Sequence, residues 1–357
     1  MEKWQKNIAN SITTPDELAL HFPIDSRPLR EVAKRYPMRI TPYYLGLIRE
    51  EADPIWRQCV PDSDELKEDE LLPDPLNEEG LSPTRALIHR YPDRVVLLVS
   101  SACAVYCRFC MRKRQVGSVE GRFSDSEIDS AIAYIENTPQ VRDVILSGGD
   151  PLLQPDDLLE NILGRLRKIP HVEIIRIGTR TPVTLPERIT VRLCRMLKRY
   201  HPLYVNTHFN HPWEITPQSS LACARLADAG IQLGNQTVLM KGVNDDTDVM
   251  KLLMQKLLAI RVRPYYIHQM DLVKGTGHFR TSVGKGLSIL EGLRGHTSGM
   301  ATPHFVIDLP GGKGKVPILP DCIERGGNRL LLRNYLGEVI EYQDLESDPP
   351  CQLAQSY

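Results

Sequence analysis

The sequence contains no apolar run near the roughly 20 residues that a membrane-spanning helix needs. Its opening stretch, MEKWQKNIANSITT, lacks the apolar core of a secretory signal. Neither sign of charge prevails, since 44 basic residues face 45 acidic ones for a net charge of −1. Partners such as nucleic acid or an anionic membrane call for a basic patch, and this balance provides none. Cysteine is too sparse for a disulfide framework, with 8 residues in a chain of 357. These absences set the first expectations: a cytoplasmic protein with no membrane and no nucleic-acid partner. At 41% apolar and 25% charged, the composition is that of an ordinary globular protein. The length suits one large α/β barrel or two to three smaller domains.

From Arg94 onward, strand-like and helix-like segments alternate. Strand candidates are 94–100 (RVVLLVS), 142–147, 172–177, 203–208, 231–239 and 262–268. Helix candidates lie between them. Ser124 and Glu127 form a capping-box pattern before Ile128–Glu136. Segments 155–168, 186–199, 217–229, 246–260 and 281–293 follow, and Thr216-Pro217 gives one of them a cap and a first-turn proline. Such alternation implies parallel strands joined by crossover helices. Six units favour an α/β fold of the partial (β/α)6 barrel kind over a doubly wound sheet. A helical N-terminal region, 1–88, is expected to pack outside a core at 89–300. Its helical patches are Asp16–His21 and Tyr43–Glu51. The acidic, proline-rich stretch 61–83 reads as an exposed connection. A small β/loop segment, 301–345, closes with a hairpin at 329–342 that turns at Leu336-Gly337. The polar tail 346–357 is expected to be disordered.

The chemistry concentrates after the first strand candidate, in SACAVYCRFCMRKR. Cys103, Cys107 and Cys110 form a C-x3-C-x2-C pattern. Iron–sulfur clusters are usually held by four thiolates, so three leave one iron open to a ligand. The spacing also permits half of a zinc site or three buried thiols. Cys59, Cys194, Cys223, Cys322 and Cys351 are scattered and read as packing residues. Other strand ends carry Gly148-Gly149-Asp150, His208 and His211, Asn235-Gln236, and Asp271. The glycines let backbone approach a ligand closely, and buried amides require partners. The His pair reads as hydrogen-bonding groups and not as metal ligands. The loop Pro310–Lys315 (PGGKGK) fails the Walker pattern, because no Ser or Thr follows Lys315. It is either a surface turn or a mount for a reactive amine.

With Tyr106 and Phe109 before the second and third cysteines, the motif resembles the radical S-adenosylmethionine superfamily. Long segments, among them TPQVRDVILSGGDPLL, NTHFNHPWEIT and HTSGMATPHFVIDLPGGKGKVPILP, resemble the lysine 2,3-aminomutase family. This resemblance implies an isomerase of lysine metabolism in a radical SAM partial barrel. It would convert L-lysine to L-β-lysine with a [4Fe–4S] cluster, S-adenosylmethionine and pyridoxal phosphate. It assigns the cluster to Cys103, Cys107 and Cys110, and pyridoxal phosphate to Lys315, with Arg90, Tyr91 and Arg94 at its phosphate. Asp150, His208 and Gln236 fall near adenosylmethionine. Arg112 matches the arginine for the substrate carboxylate, and Asp271 and Asp308 match the pair for the far ammonium of lysine. A small electron donor such as flavodoxin or ferredoxin, and a homo-oligomer, are implied partners. Alternatives are a mutase for another amino acid, one serving translation-factor modification, and a non-enzymatic iron–sulfur electron-transfer protein. Lys313 and Trp213 depart from the family pattern. Only Cys351 stands where longer members carry a cysteine-rich tail, so no zinc is expected.

Overall fold

The computed structural model describes residues 2–67, 70–117, 123–326 and 329–343. One sheet of nine strands dominates it, in the order β1 to β9. These are β1 (Leu87–Tyr91), β2 (Arg94–Ser100), β3 (Asp143–Gly148), β4 (Ile174–Gly178), β5 (Leu203–Thr207), β6 (Gln232–Leu239), β7 (Val262–Gln269), β8 (His304–Asp308) and β9 (Lys315–Pro317). Strands β2 to β8 pair in parallel. Strands β1 and β9 add antiparallel edges. The result is a curled, open α/β half-barrel in which β8, a segment that reads as a further strand in the sequence, adds a seventh parallel strand to the six repeats predicted. A second sheet of β10 (Ile323–Gly326), β11 (Arg329–Arg333) and β12 (Val339–Gln343) contains the expected hairpin. The tail 346–357, with Cys351, lies outside the described residues.

The helices repeat one solution. Residues at i, i+3, i+4 and i+7 share a helix face. Ile128, Ala131, Ile132 and Ile135 are buried in one helix, and Leu159, Ile162, Leu163 and Leu166 in the next. Met250, Leu253, Met254 and Leu257 repeat the pattern. These stripes pack on buried strand residues such as Val95, Leu97, Val144, Leu146, Ile175 and Ile177, in one core cluster. Ile12, Leu18, Ile40, Tyr44 and Ile55 of the N-terminal region belong to the same cluster. Among the described residues, no helix is long and apolar enough to cross a membrane.

Three expectations need correction. The helix expected at 186–199 is broken: the α-helix begins only at Val191, because Thr190 turns back to cap it through Leu193 N. The patch at Tyr43–Glu51 is helical only over Pro42–Leu45. The acidic stretch 61–83 is not a free connection, since Glu65 and Glu78 are buried and paired with cations. Charge in the sequence reads as solvated only until its partner is found in space.

The end of β3 is closely packed. Gly149 N donates to Ser100 O at 2.5 Å, and Gly148 has φ of +120°. A Cβ on Gly148 would run into the Ser100 carbonyl. Gly148→Ala should therefore cost about 2–3 kcal/mol, combining strain with a backbone clash. Thermal unfolding of the apoprotein checks this; an unchanged Tm would refute it.

Candidate active site

The C-terminal ends of the parallel strands surround a cavity of about 520 Å³. Every site residue that the family resemblance assigned lines it: Cys103, Cys107, Cys110, Arg90, Tyr91, Arg94, Arg112, Asp150, His208, Gln236, Asp271, Asp308 and Lys315. They arrive from β1, β2, β6, β8 and β9 and from the loops after β2, β3, β5 and β7. Parallel strands all end on one face, and that face gathers most of the chemistry, while Tyr91 and Arg94 enter from the β1–β2 turn at the other end of the strands.

The three thiols come from the loop after β2 and have no disulfide partner. Burial raises the Cys103 thiol well above its usual range and pushes Cys110 up to about 11. Arg180 Nη1 donates to Cys107 Sγ at 2.9 Å. A single ion draws its sulfurs to about 2.3 Å from one point. Among the described residues, no group of three His, Cys, Asp or Glu side chains meets such a requirement. A cubane cluster presents separate irons to separate thiolates, so its ligands stand further apart. Three thiols opening into one cavity, with a guanidinium against one sulfur, fit a cluster better than a lone ion.

Across the cavity, Lys315 opens β9. Its Nζ lies 2.5 Å from Asp308 Oδ2, and Arg90 Nη1 lies 3.2 Å from Asp308 Oδ1. His268 Nδ1 is 3.3 Å from the same carboxylate. Burial alone would raise Asp308. The hydrogen bond from His268 and the ammonium of Lys315 outweigh it and hold Asp308 well below the usual carboxylate range. At Asp271 burial, then the charge of Asp308, outweighs the cations Lys315 and Arg90 and pushes it up to about 7. Arg90 Nε is buried without a hydrogen-bond partner among the described residues. Arg94 stacks 4.2 Å from the centre of the Tyr91 ring, whose hydroxyl faces Gly314. An amine beside unsatisfied guanidinium donors fits a phosphorylated carbonyl cofactor.

Arg112 is gripped by Glu78. Its Nε and Nη2 donate to the two carboxylate oxygens at 2.9 and 2.7 Å, and its Nη1 reaches Ser147 Oγ at 3.2 Å. A guanidinium has five N–H donors in a fixed fork. Among the described residues, one N–H on each terminal nitrogen is left to face the cavity.

Not every expectation for the polar residues holds. Asp150 is not a free carboxylate: it accepts from Thr179 Oγ1 at 2.6 Å and Arg180 N at 2.8 Å. Asn235 satisfies the loop after β5, accepting from Phe209 N and donating to Phe209 O, so its amide needs no ligand. A register shift between Asn235 and Gln236 puts Gln236 on the cavity wall. His208 lines the cavity, whereas His211 accepts from Trp213 N. Burial takes His208 down to about 3, so its imidazole is neutral.

The lysine-2,3-aminomutase family model matches residues 290–355, and the radical SAM superfamily model matches 97–253. The L-lysine 2,3-aminomutase of Clostridium subterminale is 52% identical over 356 residues, covering 98% of this chain and 86% of that protein. The chain belongs to the lysine 2,3-aminomutase family. The L-lysine 2,3-aminomutase of Fusobacterium nucleatum is 50% identical, covering 98% of this chain and 84% of that one. A glutamate 2,3-aminomutase of Clostridioides difficile is 47% identical, covering 96% and 82%. The radical SAM match spans the cysteine loop and β3 to β6, and the aminomutase match spans β8, Lys315 and the second sheet. Membership explains the thiol loop and the amine in one cavity. It does not by itself reveal Glu78, Arg180 or His268, which the sequence reading passed over. The only signal for Glu78 was a pair of acids in a stretch that resembled a solvated linker.

Proposed function

We propose that the protein isomerises L-lysine to L-β-lysine, moving the 2-amino group to C3. One observation carries this reading: a single cavity holds three thiols, a lysine amine, a carboxylate-binding fork on Arg112 and the acid pair Asp271 and Asp308. When bound, the cluster, adenosylmethionine and pyridoxal phosphate supply one-electron reduction, hydrogen abstraction and temporary capture of the migrating nitrogen.

The chain's own residues bind and orient. Cys103, Cys107 and Cys110 hold the cluster. Arg90, Tyr91 and Arg94 receive the phosphate of pyridoxal phosphate while Lys315 holds its carbonyl end. His208, neutral, and Gln236 offer hydrogen bonds to adenosylmethionine, and Asp150 fixes the loop after β4 beside it. The two remaining N–H groups of Arg112 take the substrate carboxylate bidentately. Asp271 and Asp308 take the distal ammonium, since a buried cation needs anionic partners. A glutamate substrate would place a carboxylate against these two acids, so lysine is favoured. Exposed Leu331, Leu336, Val339 and Ile340 on the second sheet support self-association. A small one-electron donor such as flavodoxin or ferredoxin, in the reducing cytoplasm, fits the oxygen-sensitive centre.

Anaerobic reconstitution with iron, sulfide and pyridoxal phosphate, then reduction and addition of adenosylmethionine and L-lysine, should yield β-lysine by mass spectrometry. β-Glutamate from glutamate, with no product from lysine, would sink the proposal.

Asp271 adds a pH prediction. Binding an ammonium requires its carboxylate, but the empty site keeps the proton below about pH 7. Lysine binding must then release that proton. KM for lysine should rise by about tenfold per unit as pH falls below 7, and level off above it. Asp271→Asn should flatten this dependence; a sloping profile in that variant would contradict it.

A further inference from the structure

Behind the cysteine loop lies a group of charges that binds no substrate. Glu65 is buried at 1% exposure, on the acidic stretch. Arg108 donates to it through Nε and Nη2, at 2.8 and 2.5 Å. Lys113 Nζ meets the same carboxylate at 2.5 Å. Arg108 Nη1 also caps Pro37 O, and Lys113 Nζ caps Arg108 O and Gly275 O. The two cations flank Cys110, and Arg108 directly follows Cys107. One carboxylate thus pins both ends of the turn that presents two of the three sulfurs.

The charge does not cancel. Two cations share one anion, and although burial lowers Lys113 to about 8 it stays charged at neutral pH, so the group holds a net positive charge there, buried against the thiol loop. Lys113 N also hydrogen-bonds Cys110 O at 3.2 Å, which keeps the ammonium's own residue tied to the ligand residue. Removing Glu65 alone would strand two buried cations, an arrangement proteins rarely tolerate. Keeping a surplus cation there has a consequence for any redox centre on those sulfurs. A nearby positive charge favours the state that carries the extra electron, and net charge is one of the main determinants of cluster potential.

We propose that Glu65, Arg108 and Lys113 form a buried triad that positions the cysteine loop and, through the surplus charge of Lys113, raises the reduction potential of the cluster. This inference rests on the reading that Cys103, Cys107 and Cys110 hold a [4Fe–4S] cluster. Lys113 is a positioning residue, since it acts through the loop and its field and touches neither substrate nor cofactor.

The test is a potentiometric titration of the reconstituted cluster, followed by its reduced-state EPR signal, without lysine. Lys113→Met leaves Glu65 and Arg108 as a neutral bidentate pair, so the loop stays anchored. Its potential should shift negative, with less cluster reduced at a fixed donor potential. Lys113→Arg keeps the charge and should titrate close to the parent. Glu65→Gln combined with Lys113→Met leaves Arg108 as the sole charge, because a guanidinium does not deprotonate. That restores the parent's net charge and should bring the potential back toward it. A purely structural triad predicts the opposite order, with the double variant disturbed at least as much as the single one. Unshifted potential in Lys113→Met, or no recovery in the double variant, overturns the proposal. A parent protein that binds no cluster overturns the reading beneath it, and this inference with it.

Discussion

Lys315→Ala should abolish β-lysine formation while leaving iron and sulfide content unchanged. Among the described residues, Lys315 is the only lysine lining the cavity, so no second amine can take its place. The loss belongs to the class seen when a covalently acting residue is removed, on the order of 10⁴-fold or more. The thiols sit on a different loop with their own supports in Arg180, Glu65 and Lys113, none of which touches Lys315. Asp308 would lose its ammonium but keep Arg90 and His268 as partners, so the local carboxylate is not stranded. The apoprotein should accordingly keep its Tm within a few degrees. Two measurements separate the possibilities: β-lysine by mass spectrometry, and pyridoxal phosphate retained after desalting, read by its absorbance. Retained cofactor with normal turnover would remove Lys315 from the assignment. Lost turnover together with lost iron would mean that the substitution had damaged the fold and not the amine's role.

The parts of this site that sequence reading reached share a property: their chemistry is local. Cys103, Cys107 and Cys110 lie within eight residues, and their spacing alone limits what they can bind. Lys315 was reached through the family resemblance, since its glycine-rich loop alone reads equally well as a surface turn. The strands were legible for a similar reason, because β2 and its successors are short apolar runs ended by turn residues. What stayed hidden depends on pairs far apart in the chain. Arg112 meets Glu78 across 34 positions, and Arg108 meets Glu65 across 43. Nothing in PDSDEL or NEEGL distinguishes a carboxylate that will be buried from one that stays in water. The helix at 186–199 failed differently. Its apolar spacing was continuous, but Thr190 gains more by capping Leu193 N than by joining a helix, which resets the start. The edge strand β9 was unreadable because Lys315 opens it straight after a glycine-rich turn, although its partner Asp308 lies in a segment, 304–308, that does read as a strand.

Arg180 is the residue where fold and site are hardest to separate, and its replacement should have the largest effect on stability. It lies in a largely buried network on the cavity wall. Its Nη2 donates to Glu214 Oε1 at 2.6 Å, to Gln58 Oε1 at 2.5 Å and to Tyr44 Oη at 2.9 Å, while Nε reaches His208 O at 3.2 Å. Glu214 is wholly buried, and its other oxygen accepts from Asn210 N and His211 N. Arg180→Met removes the only cation ion-paired with Glu214 among the described residues. An uncompensated buried carboxylate costs about 3–5 kcal/mol. For a chain of this size that corresponds to a Tm lower by on the order of 5–10 °C. Because Nη1 also donates to Cys107 Sγ, the variant should release iron to a chelator faster than the parent. The cause can be isolated by a second change. Adding Glu214→Gln neutralises the stranded carboxylate and should recover much of the Tm, but it cannot return the hydrogen bond to the sulfur. Iron release should therefore stay fast in the double variant after its stability has recovered. If both recover together, the contact with Cys107 contributes nothing to holding the cluster, and Arg180 serves the fold alone.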